Sequence, residues 1–356
     1  EFFCNAQDIK KVLQDYINKE FDLEIEPLFK AALFHQENGQ SYLAFSTHHL
    51  VMDGWSLEIL IAEFVRRYKA KEKQNTQESK KLKFQFKDYA VWHEKQLKGN
   101  NEKNFKFWSN YLKGYWWNNN IPFDYENFDE KHSGESYEFQ YKLLQNSELN
   151  SFVYKYNLSL HTLLVSAFNI LIYKMYGKDD FCTGTVNSGR TNAGLHSQLG
   201  MYVKTLPLRT KIAPEQTILE ILEHTHQNLL LIDEHQDLPG TIQNKLRLDT
   251  LVVLQNPSVD YENIYIDKDL HLQKTAIKEL YSRLPLLINF ISNEESLKGN
   301  VSYNADYYSI ETIELITMKY EKILSEIIKN PNISLSSTDI ELPFEKESKI
   351  EIGLNF

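Results

Sequence analysis

The sequence predicts a mixed α/β fold (α+β in its grouping of elements), built as two halves of similar kind. Each half is a mixed or largely antiparallel sheet with flanking helices. Three observations carry this expectation. Apolar residues recur at helical spacing in long segments, as in Leu57, Leu60, Ile61, Phe64, Val65 and Tyr68. Short runs rich in β-branched and aromatic residues, such as Tyr42–Thr47 and Thr250–Gln255, read as strands. A second α/β section begins near residue 145, without a sequence repeat of the first. The division read from this pattern is an N-terminal lobe over 1–143, a C-terminal lobe over 144–340 and a charged, turn-rich tail or linker over 341–356.

In chain order, Ile9, Val12, Leu13, Tyr16 and Ile17 predict an amphipathic helix over 7–20. Leu28–Phe34 and Tyr42–Thr47 read as strands joined by a turn at Glu37-Asn38-Gly39. The second strand delivers the chain to His48 and His49. Ser56 reads as the N-cap of the next helix. Residues 71–83 are charged and read as helix tail plus loop. A helix begins at Phe86 and continues through Phe105, Trp108 and Tyr111, with Trp92 and Trp108 read as core aromatics. The Trp116–Phe128 loop follows, its Trp116-Trp117 pair read as packed beneath the loop, and then a strand at Tyr137–Tyr141. Ser159 caps a strongly apolar helix, and Phe181–Val186 is a strand ending in Asn187-Ser188-Gly189-Arg190. Met201–Arg209 reads as a strand whose Pro207 places it at an edge or bend. Thr217–Asp233 and the segment capped by Ser309 read as helices, with apolar strands at Thr250–Gln255 and Leu284–Ile291 and a pairing strand at Val301–Asn304.

The 356 residues include 42% hydrophobic and 25% charged side chains, ordinary values for a folded globular chain. The net charge of −10 argues against a nucleic-acid partner, which needs clustered Lys and Arg. Cys4 and Cys182 fit no zinc array or disulfide framework and read as reduced thiols of a cytoplasmic protein. No apolar run approaches the roughly 20 residues that cross a bilayer, so no membrane role is expected. The first residues lack leader features and an initiator Met, and read as an excerpt from a longer polypeptide. GxGxxG, GxxxxGK[ST] and GxSxG are missing, which removes the anchors for dinucleotide, P-loop and serine-hydrolase readings.

The chemistry-bearing stretch is Ser46-Thr47-His48-His49-Leu50-Val51-Met52-Asp53-Gly54-Trp55-Ser56, between a strand and a helix. An imidazole titrating near pH 6.5 suits proton transfer at neutral pH. The residues alone leave open whether Asp53 forms a His–Asp pair or supports the loop. His224 and His226, two apart on one helix, do not share a face and make no metal pair. No metal site is read from the sequence.

His48-His49-Leu50-Val51-Met52-Asp53-Gly54 matches HHxxxDG and resembles the signature of nonribosomal peptide synthetase condensation domains, within the chloramphenicol acetyltransferase-like superfamily. Four further stretches resemble the family's motifs in the family's order. They are Phe86-Lys87-Asp88-Tyr89-Ala90-Val91-Trp92, Gly184–Arg190, Leu199–Arg209 and His235-Gln236-Asp237-Leu238-Pro239. The resemblance implies two chloramphenicol acetyltransferase-like halves arranged as a V with a central tunnel. It implies an acyltransferase that forms an amide when a carrier-bound aminoacyl amine attacks a carrier-bound acyl or peptidyl thioester. His49 is the implied catalytic residue, as general base or by holding the amine. His48, Asp53, Gly54 and Arg190 are implied supporting residues: Asp53 pairs with Arg190, and Gly54 permits the turn that aims His49.

The resemblance implies no intrinsic cofactor. Substrates arrive on phosphopantetheine arms of donor and acceptor peptidyl carrier proteins, with an adenylation domain as a neighbour, in secondary-metabolite or antibiotic biosynthesis. The competing readings are an acyltransferase with a free alcohol or amine acceptor, an epimerisation relative, and a non-catalytic recruiting platform. The family's first two motifs are not in this sequence, Lys204 stands where the family has Asn, and Gly240-Thr241 replaces Phe-Glu. No short stretch encodes the donor or acceptor.

Overall fold

The computed structural model describes residues 2–4, 8–72, 82–125, 133–141, 146–255, 263–266, 270–275, 277, 282, 284–292, 297–342 and 345. The chain forms two compact units: Glu1–Gly99 with Ser188–Lys204 and Pro257–Leu280, and Asn100–Asn187 with Thr205–Asn256 and Tyr281–Phe356. They interleave along the sequence, where a single boundary at 143/144 was expected.

The first unit opens with strand β1 (Phe2–Cys4) and helix α1 (Ile9–Ile17), followed by β2 (Phe29–Gln36), β3 (Ser41–Thr47) and α2 (Gly54–Glu72). Its sheet runs β1-β2-β3, with β1 parallel and β3 antiparallel to β2. Gly39, at φ 86°, closes the β2–β3 turn in a conformation that favours glycine. The alternation of the strands sends Ala32, Phe34 and Ala44 to one face, where they pack with Ile9 and Leu13 of α1. On α2, Phe64 meets Phe45 edge to face with centroids 6.0 Å apart. Helix α3 (Phe86–Tyr111) is one continuous element, as read from the sequence. In this unit Tyr89 packs with Leu195 and Tyr202 in a separate small core. Of the charged stretch 71–83, residues 73–81 lie outside the described residues.

The second unit continues with β4 (Gly134–Gln140), α4 (Asn146–Lys155), α5 (Leu160–Tyr176), β5 (Asp180–Asn187), β6 (Lys204–Lys211), α6 (Ile218–Glu234), the short α7 (Gly240–Gln243) and β7 (Thr250–Gln255). A small hairpin, β8 (Asn263–Tyr265) and β9 (His271–Gln273), belongs to the first unit; β10 (Leu286–Ser292), β11 (Leu297–Asn304) and α8 (Ile310–Lys329) complete the second. The six-stranded sheet has the order β4-β11-β10-β7-β5-β6. It is mixed: β11 is antiparallel to β10 and β4, while β7 is parallel to β10 and β5. β4 pairs with β11 from Gly134↔Asn304 to Gln140↔Lys298, which is why this stretch belongs with the second unit. Pro207 lies on β6, an edge strand, where a missing N–H is tolerated.

α5 is largely apolar and enclosed: Thr162 through Ile172 are all buried, with Asn169 bonded to Thr210 and Thr183. Ser159 caps it through a 3.0 Å bond from Thr162 N, Thr217 and Glu220 form a capping box on α6, and Ser309 caps α8. Leu342 is buried and Glu345 pairs with Lys319 at 2.9 Å, so the start of the expected 341–356 tail packs on this unit; 343–344 and 346–356 lie outside the described residues. Among the described residues no single helix is long and apolar enough to cross a membrane.

Candidate functional site

The site is built on the connection between β3 and α2. His48 N–H donates to Leu28 O at 2.9 Å, continuing the β2–β3 ladder one step beyond Thr47. The chain then turns: Val51 N–H donates to His48 O at 3.1 Å, and Leu50 N–H donates to His48 Nδ1 at 3.1 Å. An accepting Nδ1 places the proton of neutral His48 on Nε2. The ring also meets Phe21 edge to face, with centroids 6.1 Å apart. His48 is thus engaged in closing the turn that carries its neighbour.

His49 has the opposite arrangement. Its Nδ1 lies 2.7 Å from Met52 O, and a carbonyl oxygen can only accept. The proton of the neutral ring is therefore on Nδ1, and Nε2 keeps its lone pair. That atom can accept a proton or a hydrogen bond from an amine. The side chain is half-buried.

Asp53 is buried and caps α2: its Oδ1 accepts from Ser56 N at 2.8 Å, and its carbonyl accepts from Leu57 N at 3.2 Å. The helix begins at Gly54, so the N-cap is Asp53 and not Ser56 as expected from the sequence. Ser56 is the third helical residue, fully enclosed. Gly54 has no positive φ, and an added Cβ would meet nothing within 4 Å, so the turn itself does not require glycine there. This corrects the role expected for Gly54.

Residues 188–204 complete the surroundings of Asp53. Arg190 Nη2 donates to Asp53 Oδ1 and Oδ2 at 3.0 and 3.2 Å, and Tyr202 N–H reaches Oδ2 at 3.0 Å. Arg190 Nη1 donates to Leu195 O and Gln198 O at 2.5 and 2.8 Å. The guanidinium carbon lies 4.2 Å from the Tyr202 ring centroid and 5.6 Å from that of Trp55. Trp55 Nε1 donates to His196 O at 3.1 Å, tying α2 to the same segment. Gly189, at φ 65°, is needed because a Cβ would overlap the Tyr202 carbonyl.

Burial pushes the Asp53 carboxyl up, but the Ser56 hydroxyl and N–H, the Tyr202 N–H and the Arg190 cation outweigh it and hold the group below the ordinary carboxylate range. With Asp53 enclosed by these donors and His49 bonded to Met52 O, the structure shows an Asp53–Arg190 pair and no His–Asp dyad among the described residues. The structure thus brings His48, His49, Asp53, Gly54 and Arg190 into one neighbourhood through the loop, the helix cap and the returning segment.

Sequence reading missed the Met52 carbonyl, which no residue type could have flagged, and the full role of Ser56. Ser56 Oγ accepts from Gly200 N at 3.0 Å and Arg190 Nη2 at 2.9 Å, with Asp53 Oδ1 at 2.7 Å and Gly200 O at 2.9 Å as acceptors for its proton. Gly200, within the motif-like stretch Leu199–Arg209, was the available signal: a Cβ there would overlap the Phe86 ring. Lys204 Nζ lies 3.5 Å from His93 Nε2, whose ring stacks on Tyr89.

His224, His226 and His235 have local roles. His224 faces Gln216, His226 faces Thr162, and His235 caps α6, stacks on Phe107 and accepts at its carbonyl from Trp108 Nε1. Trp108 is buried, but Trp92 is 52% exposed and not a core residue. Trp117 packs edge-on against Tyr115, whereas Trp116 is 80% exposed, so the pair is not buried beneath its loop.

The family model described as "Condensation domain" matches residues 4–349. Surfactin synthase subunit 2 of Bacillus subtilis (strain 168) is 26% identical over 97% of this chain, and gramicidin S synthase 2 of Brevibacillus brevis is 27% identical over 99%. The chain spans only 10% and 8% of the length of those two relatives. Among solved structures, holo-AB3403, a four-domain nonribosomal peptide synthetase bound to AMP and glycine, superposes with a TM-score of 0.85 at 20% identity, over 97% of this chain and 28% of that one. That likeness shows the fold.

Proposed function

Since the chain belongs to the condensation-domain family, we propose that it forms an amide between two carrier-bound substrates. A donor acyl or peptidyl group is held as a thioester on the phosphopantetheine arm of one carrier, and an aminoacyl group on the arm of a second. The amine nitrogen attacks the thioester carbonyl. The C–N bond forms, the C–S bond breaks and the donor arm leaves as a thiol, while the nitrogen gives up a proton. A thioester is already activated, so positioning and management of that proton supply the catalysis.

The observation that carries this reading is the hydrogen bond from His49 Nδ1 to Met52 O, which leaves Nε2 as the acceptor. His49 receives the amine proton or holds the amine for attack and steadies the tetrahedral intermediate. His48, Asp53 and Arg190 hold the loop that presents it. Nothing intrinsic to the domain is needed as a cofactor, because the arms belong to the carriers. A neighbouring adenylation domain loads one of them, and the setting is cytoplasmic, where the buried Cys182 stays a thiol because burial pushes its pKa up.

The test is a reconstitution with a donor carrier bearing a short acyl thioester and an acceptor carrier bearing an amino acid. Intact-mass spectrometry of the acceptor carrier should show the acyl group transferred to its amine. An acceptor arm that keeps its mass but inverts its α-carbon would replace this reading with epimerisation. Equal acylation of a free amine would replace it with a carrier-independent acyltransferase.

A further inference from the structure

We propose that Ser56 is a positioning residue for the reaction: its buried hydroxyl fixes Asp53 and thereby keeps the proton of His49 on Nδ1. The proposal rests on the reading of His49 given above, and it follows from an accounting of one hydroxyl. A serine has one proton and two lone pairs. Ser56 Oγ receives Gly200 N–H and an Arg190 N–H, which fill both lone pairs, and its proton goes to Asp53 Oδ1, the nearer acceptor, at 2.7 Å. Every capacity of the group is used, and the side chain is fully enclosed. Ser56 also donates its backbone N–H to Asp53 Oδ1.

The consequence for His49 runs through covalent geometry. Met52 O and Asp53 N lie on one rigid peptide plane, so the position of Asp53 sets the direction of the Met52 carbonyl. That carbonyl is the partner 2.7 Å from His49 Nδ1. With Ser56 in place, Asp53 is held from both sides, by α2 and by the 188–204 segment, and the carbonyl is aimed at the imidazole. Without the hydroxyl, Gly200 N–H loses its acceptor while remaining buried, Arg190 Nη2 keeps only the Asp53 carboxylate, and Asp53 loses a donor. The cluster must rearrange to satisfy Gly200 N–H, and the shift of Asp53 within its remaining donors turns the peptide that carries the Met52 carbonyl.

The test compares Ser56→Ala and Ser56→Cys with the wild-type chain in the reconstituted two-carrier reaction. It also records the His49 imidazole nitrogens by long-range 15N–1H correlation. In the wild type, Nδ1 should appear protonated and Nε2 not. Ser56→Ala should mix the two tautomers and lower kcat by roughly 10- to 100-fold, with KM within about twofold of wild type. Ser56→Cys keeps a side chain of similar size and a weaker hydrogen-bonding group, and should fall between; it decides the matter if Ser56→Ala does not fold. Variants that keep the Nδ1–H tautomer and full kcat overturn the proposal, as does a rise in KM with kcat unchanged. The tautomer readout requires no turnover, so a failure of the proposed reaction is distinguishable from a failure of this inference.

Discussion

Asp53 and Arg190 form an ion pair with 3% and 0% side-chain exposure, and its energetics differ from those of a surface pair. Such a pair adds little over an apolar replacement, but loss of one partner strands a buried charge at a cost of about 3–5 kcal/mol. Arg190→Ala should therefore lower the unfolding free energy of the first unit by that amount, and Asp53→Asn combined with Arg190→Met should recover part of it. Denaturant melts of the single and double variants measure both, and additive losses would contradict the pairing. At this scale the sequence was readable where a residue type has few uses. Two adjacent imidazoles and a nearby Asp stood out, and the distant Arg190 was found only through the family resemblance. The Met52 carbonyl did not stand out, because every residue has one. Nor did the set of donors around Asp53, because hydrogen bonds between positions 53 and 190 or 202 leave no local pattern.

The elements were readable where periodicity is strong and less so at their ends. β2, β3, α5 and α6 lie close to the segments that alternation and helical spacing marked. The start of α2 was misjudged because Asp and Ser are equally good N-caps, and the choice is made by which side chain reaches the third N–H. α4 was missed: it is short, and only Leu149, Phe152 and Val153 supply apolar residues to its buried side. On α3, Trp92 and Trp108 are 16 residues apart, and at about 100° per residue they point roughly 160° apart around the axis. One is enclosed and the other exposed, so helical phase distinguishes two residues that look alike in the sequence. Pro207 was informative in the other direction, since its missing N–H restricts the strand that carries it to an edge.

At the scale of the whole molecule, chain order and spatial grouping diverge. Residues 188–204 join the first unit, anchored by Arg190 and Tyr202 on Asp53, although they lie far beyond the expected boundary. The two units also carry carboxylates with opposite responses to pH. Asp53 is held below the ordinary aspartate value of 3.8, so its contribution is present above that value and is lost as pH falls through the folded pKa. Asp249 is raised to about 6, chiefly by burial, despite donors from Asn120 and Thr250. Its contribution is complete below 3.8 and is lost as pH rises through about 6. His161 and His235, in the same unit, are lowered by burial, so their contribution is present above 6.5 and lost on acidification. Asp249→Asn isolates the carboxylate from them. Its stability relative to wild type should change between pH 4 and about 6, where Asp249 titrates, with the wild type gaining toward the acid side. A difference that stays constant with pH would show that Asp249 is not raised.

The central claim is that His49 presents Nε2 to the reacting amine. It is tested most directly by single-turnover amide formation with His49→Ala, with the binding of each charged carrier measured alongside. The variant should bind both carriers as the wild type does and form product roughly 10²- to 10⁴-fold more slowly. Product at the wild-type rate with carrier binding intact would contradict the claim.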